Sequence, residues 1–386
     1  MSQSKNLIPE RAGRLIHQPA GYRAYIPAPL PPAPSLDIDN EMLRLLSEAD
    51  QHLARLDALA TLLPNPDLFV SMFVKHEAVL SSQIEGTQST LDDILALDAG
   101  ATEVGVHTDA GDVVNYVRAM NHGIARLEKD SFPLSLRLIR EIHAELMRGT
   151  RGQEKSPGEF RTSQNWIGGA SPARALFVPP PAHEVMPALD SLEEFIHTDH
   201  QKLPVLIHCA LAHAQFETIH PFLDGNGRVG RLLITFMLVE AKVLARPLLY
   251  LSLYLKSNRS EYYDRLMAVR FHGDWEGWVK FFLRGVRQTA ELAMQTGRNI
   301  LELRDAHRKQ FSQSSNALAL LDRLYQQPYI NVKQAVTIMQ CSEPTAGKVI
   351  AELESQGYLQ ETTGQKRNRV FRYAPLIALF ESSPLT

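Results

Sequence analysis

Between His220 and Arg231 the chain reads HPFLDGNGRVGR, a stretch that gathers the groups phosphate chemistry needs. The imidazole of His220 has an ordinary pKa suited to accepting a proton near neutral pH. Asp224 can carry Mg²⁺, a cation that takes one or two protein carboxylates plus phosphate oxygens. Gly225, Asn226 and Gly227 allow positive φ, so successive N–H groups can turn inward as an anion nest at the start of a helix. Val229, Leu232, Leu233 and Phe236 follow at helical spacing. Arg228 and Arg231, three apart, share a face near that helix start, and two guanidinium forks there suit a polyphosphate. A Gly-Asn-Gly or a histidine alone would read more simply as a helix-capping loop; the combination reads as a phosphate-transfer site. A rival reading makes His220 and Asp224 metal ligands of a hydrolase, supported by His197, His200, His208 and His213. Their spacing matches no zinc motif such as HExxH, so they are expected as surface or core histidines.

The elements that must position this loop are mainly helical. Leu46, Ala49, Leu53, Leu56 and Ala60 form one stripe, ended by Pro64 and Pro66. Further helices are expected over about 66–82, from 91, and over 112–128, 134–148, 182–199, 204–219, 229–243, 258–270 and 274–300, with a Gly-, Asp- and Val-rich loop before residue 112. Residues 158–181 break the pattern: apolar pieces 165–167 and 175–178 flank Gly168, Gly169 and Pro172 and read as a hairpin or flap. Residues 1–37, with PAPLPPAPS, read as an extended arm docked through Tyr22, Tyr25 and Leu30. Beyond a polar linker or helix extension near 300–315, helical patterns at 316–327, 331–340 and 343–356 precede strand-like pieces at 358–362 and 370–373. Three helices and a two-stranded wing describe a winged helix. The expected division is 1–110, 111–300 and 301–386.

Composition narrows the class. The 386 residues, 44% hydrophobic and 22% charged, are those of a soluble globular chain of two or three domains. A formal net charge of −3 gives no global case for nucleic-acid or membrane binding. No apolar run reaches the roughly 18 residues of a membrane span, and MSQSKNLIPERAGR lacks a secretory apolar region. With only Cys209 and Cys341, a reducing cytoplasm fits better than a disulfide framework.

Residues 220–231 resemble the signature of the Fic family, His-x-Phe-x-Asp/Glu-Gly-Asn-Gly-Arg-x-x-Arg, with every specified position filled. The likeness extends to YIPAPLPPAP, KHEAVLSSQIEGTQST, NWIGG and YYDRLMAVR, spanning roughly residues 20–290. It implies an all-α Fic core with a short hairpin flap, and transfer of AMP from ATP to Ser, Thr or Tyr hydroxyls of proteins. In that scheme His220 takes the hydroxyl proton and Asp224 holds Mg²⁺. Gly225, Asn226, Gly227, Arg228, Val229, Gly230 and Arg231 bind ATP, the Asn226 side chain included. Phe222 anchors the loop in the core. Gln215 and Tyr263 are candidates for the adenosine pocket, with packing an equal alternative. The flap, residues 165–178, is expected to receive the target protein as an added strand.

Ser81-Ser82-Gln83-Ile84-Glu85-Gly86 resembles the family's inhibitory motif, Ser/Thr-x-x-x-Glu-Gly/Asn, placed before the core. The implied physics is competition: Glu85 pairs with Arg231 and leaves ATP misaligned. Ser81 and Gly86 complete the motif, and Gly86 also suits a helix C-terminus with the glutamate in its last turn. The same resemblance leaves open removal of AMP or other phosphate-group transfer, self-modification and a homodimer. For the C-terminal module, Lys348, Lys366, Arg367, Arg369 and Arg372 suit DNA phosphates over residues 316–373, while Glu343, Glu352 and Glu354 oppose that reading. A DNA-binding regulator with a nucleotide-sensing body is the corresponding alternative function.

Overall fold

The structure, a computed structural model, describes residues 8–62, 66–98, 109–149, 154–198, 203–365 and 367–381. Pro64, His200, Lys366 and most of the Gly-, Asp- and Val-rich loop lie outside them. The chain divides into two compact units. One comprises 1–54, 115–245 and 254–288; the other comprises 55–114, 246–253 and 289–386. Four of the described helices contain residues of both units: α1 (Asn40–Leu62), α4 (Ala110–Glu128), α9 (Ser252–Ser257) and α11 (Trp275–Gln310).

In the first unit the N-terminal arm is a hairpin. Strands β1 (Gly13–His17) and β2 (Arg23–Pro27) pair antiparallel, Leu15 opposite Tyr25. This pairing goes beyond the extended arm expected from the prolines; Gly21, at φ 82, turns the chain inside a segment of strand-forming residues. Tyr25 is the buried anchor, while Tyr22 and Leu30 are half-buried. The Tyr25 hydroxyl donates to Ala12 O (2.6 Å), and its ring meets Phe177 and Phe271. Its N–H donates to Val178 O (2.9 Å), which ties the arm to the foot of the flap.

Around the site stand α5 (Leu136–Leu146), α6 (Ala182–Ile196), α7 (Val205–Ile219), α8 (Asn226–Glu240) and α10 (Arg259–His272). Helix α7 is the central one. From Leu206 onward every residue is buried, so it has no solvated face, and it packs against α6, α8, α10 and β2. The flap is slighter than a hairpin. One antiparallel bridge, Ile167 to Phe177, closes a loop that holds a turn of 3-10 helix, Pro172–Arg174.

The second unit contains α2 (Pro66–Ile84), α3 (Leu91–Asp98) and a C-terminal module. Of the two readings for 300–315, linker or helix extension, the second holds as far as Gln310, the end of the 36-residue α11. The module runs α12 (Ser315–Leu324), β3 (Tyr329–Asn331), α13 (Val332–Met339), α14 (Glu343–Ser355), β4 (Leu359–Glu361), β5 (Val370–Tyr373) and α15 (Ala374–Glu381). Its sheet is antiparallel in the order β3-β5-β4, so a third strand joins the two expected for the wing. Asn331 ends β3 and opens α13 with a capping box completed by Gln334. The short helices α9 (Ser252–Ser257) and α15 carry too few residues to show a period in the sequence. Among the described residues no helix is long and apolar enough to cross a membrane.

Candidate active site

Helix α7 ends at His220, whose backbone is left-handed (φ 51, ψ 59) and whose N–H donates to Phe216 O (2.9 Å). This conformation turns the chain sharply out of the helix. The ring Nδ1 lies 3.4 Å from the Glu217 carbonyl. A carbonyl only accepts, so Nδ1 carries the proton and Nε2 carries the lone pair. Burial pushes this imidazole down to about 3, and the Arg270 and Arg161 cations add to the drop. A value near neutrality, expected from the residue type, is therefore displaced by the fold. His220 is neutral at physiological pH, with its basic nitrogen unprotonated.

Four side chains the sequence reading did not assign hold this turn in place. Arg161 is buried, and its guanidinium donates to His220 O (2.9 Å), Ile219 O (3.3 Å), Pro180 O (2.6 Å) and Ser163 O (3.1 Å). One cation thus satisfies the frayed carbonyls of α7 and both ends of the flap. Asn165 donates to His220 O (3.0 Å) and Phe222 O (2.9 Å). Arg270 donates to Glu217 O (2.9 Å) and Thr218 Oγ1 (3.2 Å) and lies 4.1 Å over the Phe177 ring. His143 stacks on Phe222 at 3.7 Å, accepts from Gly158 N–H through Nδ1 (2.9 Å) and reaches Asp224 O through Nε2 (3.1 Å). Those partners fix its proton on Nε2, and burial pushes it down to about 4. A clue was available: His143 occupies the apolar stripe of Ile139, Ile142 and Leu146, all buried. Arg161 and Arg270 gave no such signal, because their partners are backbone groups distant in sequence.

Phe222 is buried, as its anchoring role requires. The Asn226 side chain accepts from Phe222 N–H and donates to Phe222 O, both at 2.8 Å. It is thereby committed to shaping the loop, where the family resemblance implies a contact with ATP. The nest is also smaller than expected. Gly225 alone of the three is left-handed (φ 76), while Asn226 and Gly227 already belong to α8. Helix α8 has no side-chain cap, so its first-turn N–H groups are left without a side-chain acceptor. Asp224 is exposed; its Oδ1 accepts from Gly225 N–H (2.7 Å), and among the described residues its Oδ2 has no hydrogen-bond partner. Arg228 and Arg231 are buried on the first turns of α8. Val229 is buried too, and Gly230 lets α7 approach: a Cβ there would sit 2.3 Å from Glu217 Oε1.

The remaining candidates are placed as follows. Gln215 is buried and donates to Ala28 O (2.8 Å), which gives it an arm-docking role. Tyr263 is 39% exposed on α10, beside Tyr262 and Arg259. Trp166 and Leu176 are exposed on the flap, the latter by 73%. His208 and His213 are core histidines: His208 bonds Phe195 O, and His213 links Gly230 O to the Tyr262 hydroxyl. His197 is the C-cap of α6. In the second unit, Ser81 is buried in α2; Glu85 lies just past the helix end rather than in its last turn, is exposed, and precedes Gly86 at φ 101. In the module, Lys348 and Arg367 are exposed, whereas Arg369 pairs with Glu354 (3.1 Å) and Arg372 with Asp92 (2.8 Å).

The site thus joins a left-handed histidine, a helix start capped by glycine with no side-chain cap, and two buried arginines beside it. Residues 43–125 match the Fic/DOC family N-terminal model and residues 133–238 the Fic/DOC family model. The chain belongs to the Fic/DOC family. It is similar to a protein named "Protein adenylyltransferase Fic" from Drosophila virilis, 27% identical over 67% of this chain and 48% of that one. The chain therefore spans about half the length of the curated relatives it matches. A crystal structure of a Fic family protein from Desulfovibrio desulfuricans G20 superposes with a TM-score of 0.56 at 20% identity, covering 88% of this chain and 97% of that one. A Fic domain containing signaling protein from Bacteroides thetaiotaomicron gives 0.51 at 19% identity, over 67% and 97%. These two likenesses bear on the fold.

Proposed function

We propose that this protein transfers AMP from ATP to hydroxyl groups of Ser, Thr or Tyr on target proteins and on itself. The observation that carries the reading is the neutral His220, its Nε2 lone pair unused, on the loop that opens α8 with its two buried arginines. The target hydroxyl gives its proton to Nε2 as its oxygen bonds to the α-phosphorus and the bond to the pyrophosphate oxygen breaks. Arg161 and Asn165 fix the backbone of the base, so the ring needs no reorientation during the step. A bound polyphosphate would raise the proton affinity of His220 by its negative charge, offsetting Arg270 and Arg161. Arg228, Arg231 and the first turn of α8 stabilise the charge on the phosphate chain.

Asp224 fits a magnesium ion: one carboxylate oxygen is tied to the loop and the other is open at an exposed position. When bound, the ion supplies neutralisation of the phosphate oxygens. The flap's exposed edge suits an added strand of the target. Glu85 is read as the inhibitory residue competing with nucleotide for Arg231, on the strength of the 81–86 motif with Ser81 buried and Gly86 left-handed. Residues 315–373 are read as a winged helix, and the pairing of Arg369 and Arg372 with carboxylates leaves fewer cations for DNA than the sequence offers.

The test uses ATP labelled at either phosphorus end. Label at the α-phosphate is expected on protein and label at the γ-phosphate is not; His220→Ala removes the first signal. Transfer of γ-label, or equal α-labelling by His220→Ala, would contradict the reading.

A further inference from the structure

The inhibitory segment sits in a framework that the C-terminal module completes, all of it within the second unit. Helix α2 delivers the 81–86 motif, and its Phe73 and His76 lie about one to two turns before it. Phe380 of α15 packs edge-on against both rings, at 5.3 Å and 5.6 Å. After the motif, Gln83 donates to Ser89 O (2.9 Å), and Asp109 accepts from Gln88 N–H (2.6 Å) and from the Ser89 hydroxyl. Helix α3 begins at once. Its Asp98 pairs with Lys75 of α2 at 2.5 Å. Its Asp92 pairs with Arg372 of β5 at 2.8 Å, close to the Tyr329 hydroxyl of β3. The module therefore grips the chain on both sides of Glu85, through α15 before it and through the sheet after it.

That grip has an internal lock. His307 near the end of α11 bonds the hydroxyls of Tyr325 (3.1 Å) and Tyr373 (2.8 Å), and the two hydroxyls lie 3.3 Å apart. All three residues are buried. Tyr373 follows Arg372 directly, so the strand that holds Asp92 is pinned to the long helix.

We propose that the C-terminal module is a brace on the inhibitory segment, and that its contacts through Arg372–Asp92 and Phe380 hold Glu85 in its restraining position. This rests on the reading of Glu85 given above. A change at the module reaches the segment through a short packed path, because α3 and α2 have no other described sequence between them than the loop 85–90. Loosening the brace frees the segment and raises AMP transfer.

The experiment uses the full chain with Arg372→Ala, Phe380→Ala, and the swap Arg372→Asp with Asp92→Arg, each with and without Glu85→Gly. Labelling from α-labelled ATP is read together with hydrogen exchange of amides 82–98. We expect Arg372→Ala and Phe380→Ala to raise labelling about fivefold or more, the lower range of ordinary coupling between sites. In the Glu85→Gly background they should add nothing, and the charge swap should restore restraint. Exchange at 82–98 should quicken in the single variants and recover in the swap. Glu85→Gly raising labelling while Arg372→Ala matches the parent in labelling and exchange would overturn the brace and leave the inhibitory reading intact. Glu85→Gly labelling no more than the parent would remove the inhibitory reading and the brace with it. Should Phe380→Ala not fold, Arg372→Ala and its swap decide.

Discussion

The loop after His220 and the loop after Glu85 share a plan: a helix ends, a left-handed residue turns the chain, and a new helix opens within a few residues. They are held in opposite ways. At 220–225 the fastening groups are buried: Arg161, Asn226, His143 and Arg270 all reach backbone carbonyls or amides. At 85–90, Glu85, Gly86, Gln88 and Thr90 are exposed while Ser89 is buried, and the fastening comes from Asp109, Gln83 and the Thr90–Asp93 pair. Buried charge-assisted bonds keep a geometry fixed, since breaking one strands a desolvated partner. Exposed bonds are exchanged readily with water. On the proposed reading, the first loop's fixed geometry suits a proton acceptor, and the second loop's more exposed fastening suits a switch.

Removing the strongest fastener should break this contrast most visibly. Arg161→Ala strands the carbonyls of Ile219, His220, Ser163 and Pro180, and is expected to lower stability by about 3 kcal/mol. Displacing the base should lower AMP transfer on the order of 100-fold, more than the stability loss alone explains. Denaturant unfolding and initial labelling rates check the two effects.

Acid should sharpen the contrast. Folding holds His143 at about 4 and His213 at about 3, below their ordinary 6.5. The unfolded chain binds the extra protons, so their contribution is full above pH 6.5 and is lost as pH falls toward the folded values. At pH 5 each buried ring should cost about 2 kcal/mol. Hydrogen-exchange protection factors, which correct for slower intrinsic exchange in acid, should therefore fall between pH 7 and 5 at 158–161 and 220–231 well before 83–95. A uniform fall would contradict the assignment.

The smallest effect belongs to the second loop. Thr90 N–H donates to Asp93 Oδ2 (2.7 Å), and Asp93 N–H returns to Thr90 Oγ1 (3.2 Å), a reciprocal cap on α3. Thr90→Ala should cost about 1 kcal/mol, local to α3 and visible as faster amide exchange at 91–95.

What the sequence disclosed follows the same division. Helices with three or more turns showed their period, and the groups of 220–231 were legible because they are contiguous. Arg161, His143 and Arg270 come from three other segments and meet the loop only through the fold. The β1–β2 hairpin was hidden by flanking prolines, and β3, with three residues, is too short to alternate. The depressed value of His220 was illegible as well, for it arises from burial beside two cations distant in sequence.

Mass spectrometry of the Glu85→Gly protein after incubation with ATP and Mg²⁺ tests the central claim most directly. The account predicts a gain of one AMP group, on the protein or an added partner, absent when His220→Ala is introduced into the same chain. An unchanged mass, or a gain that survives the loss of His220, would contradict it.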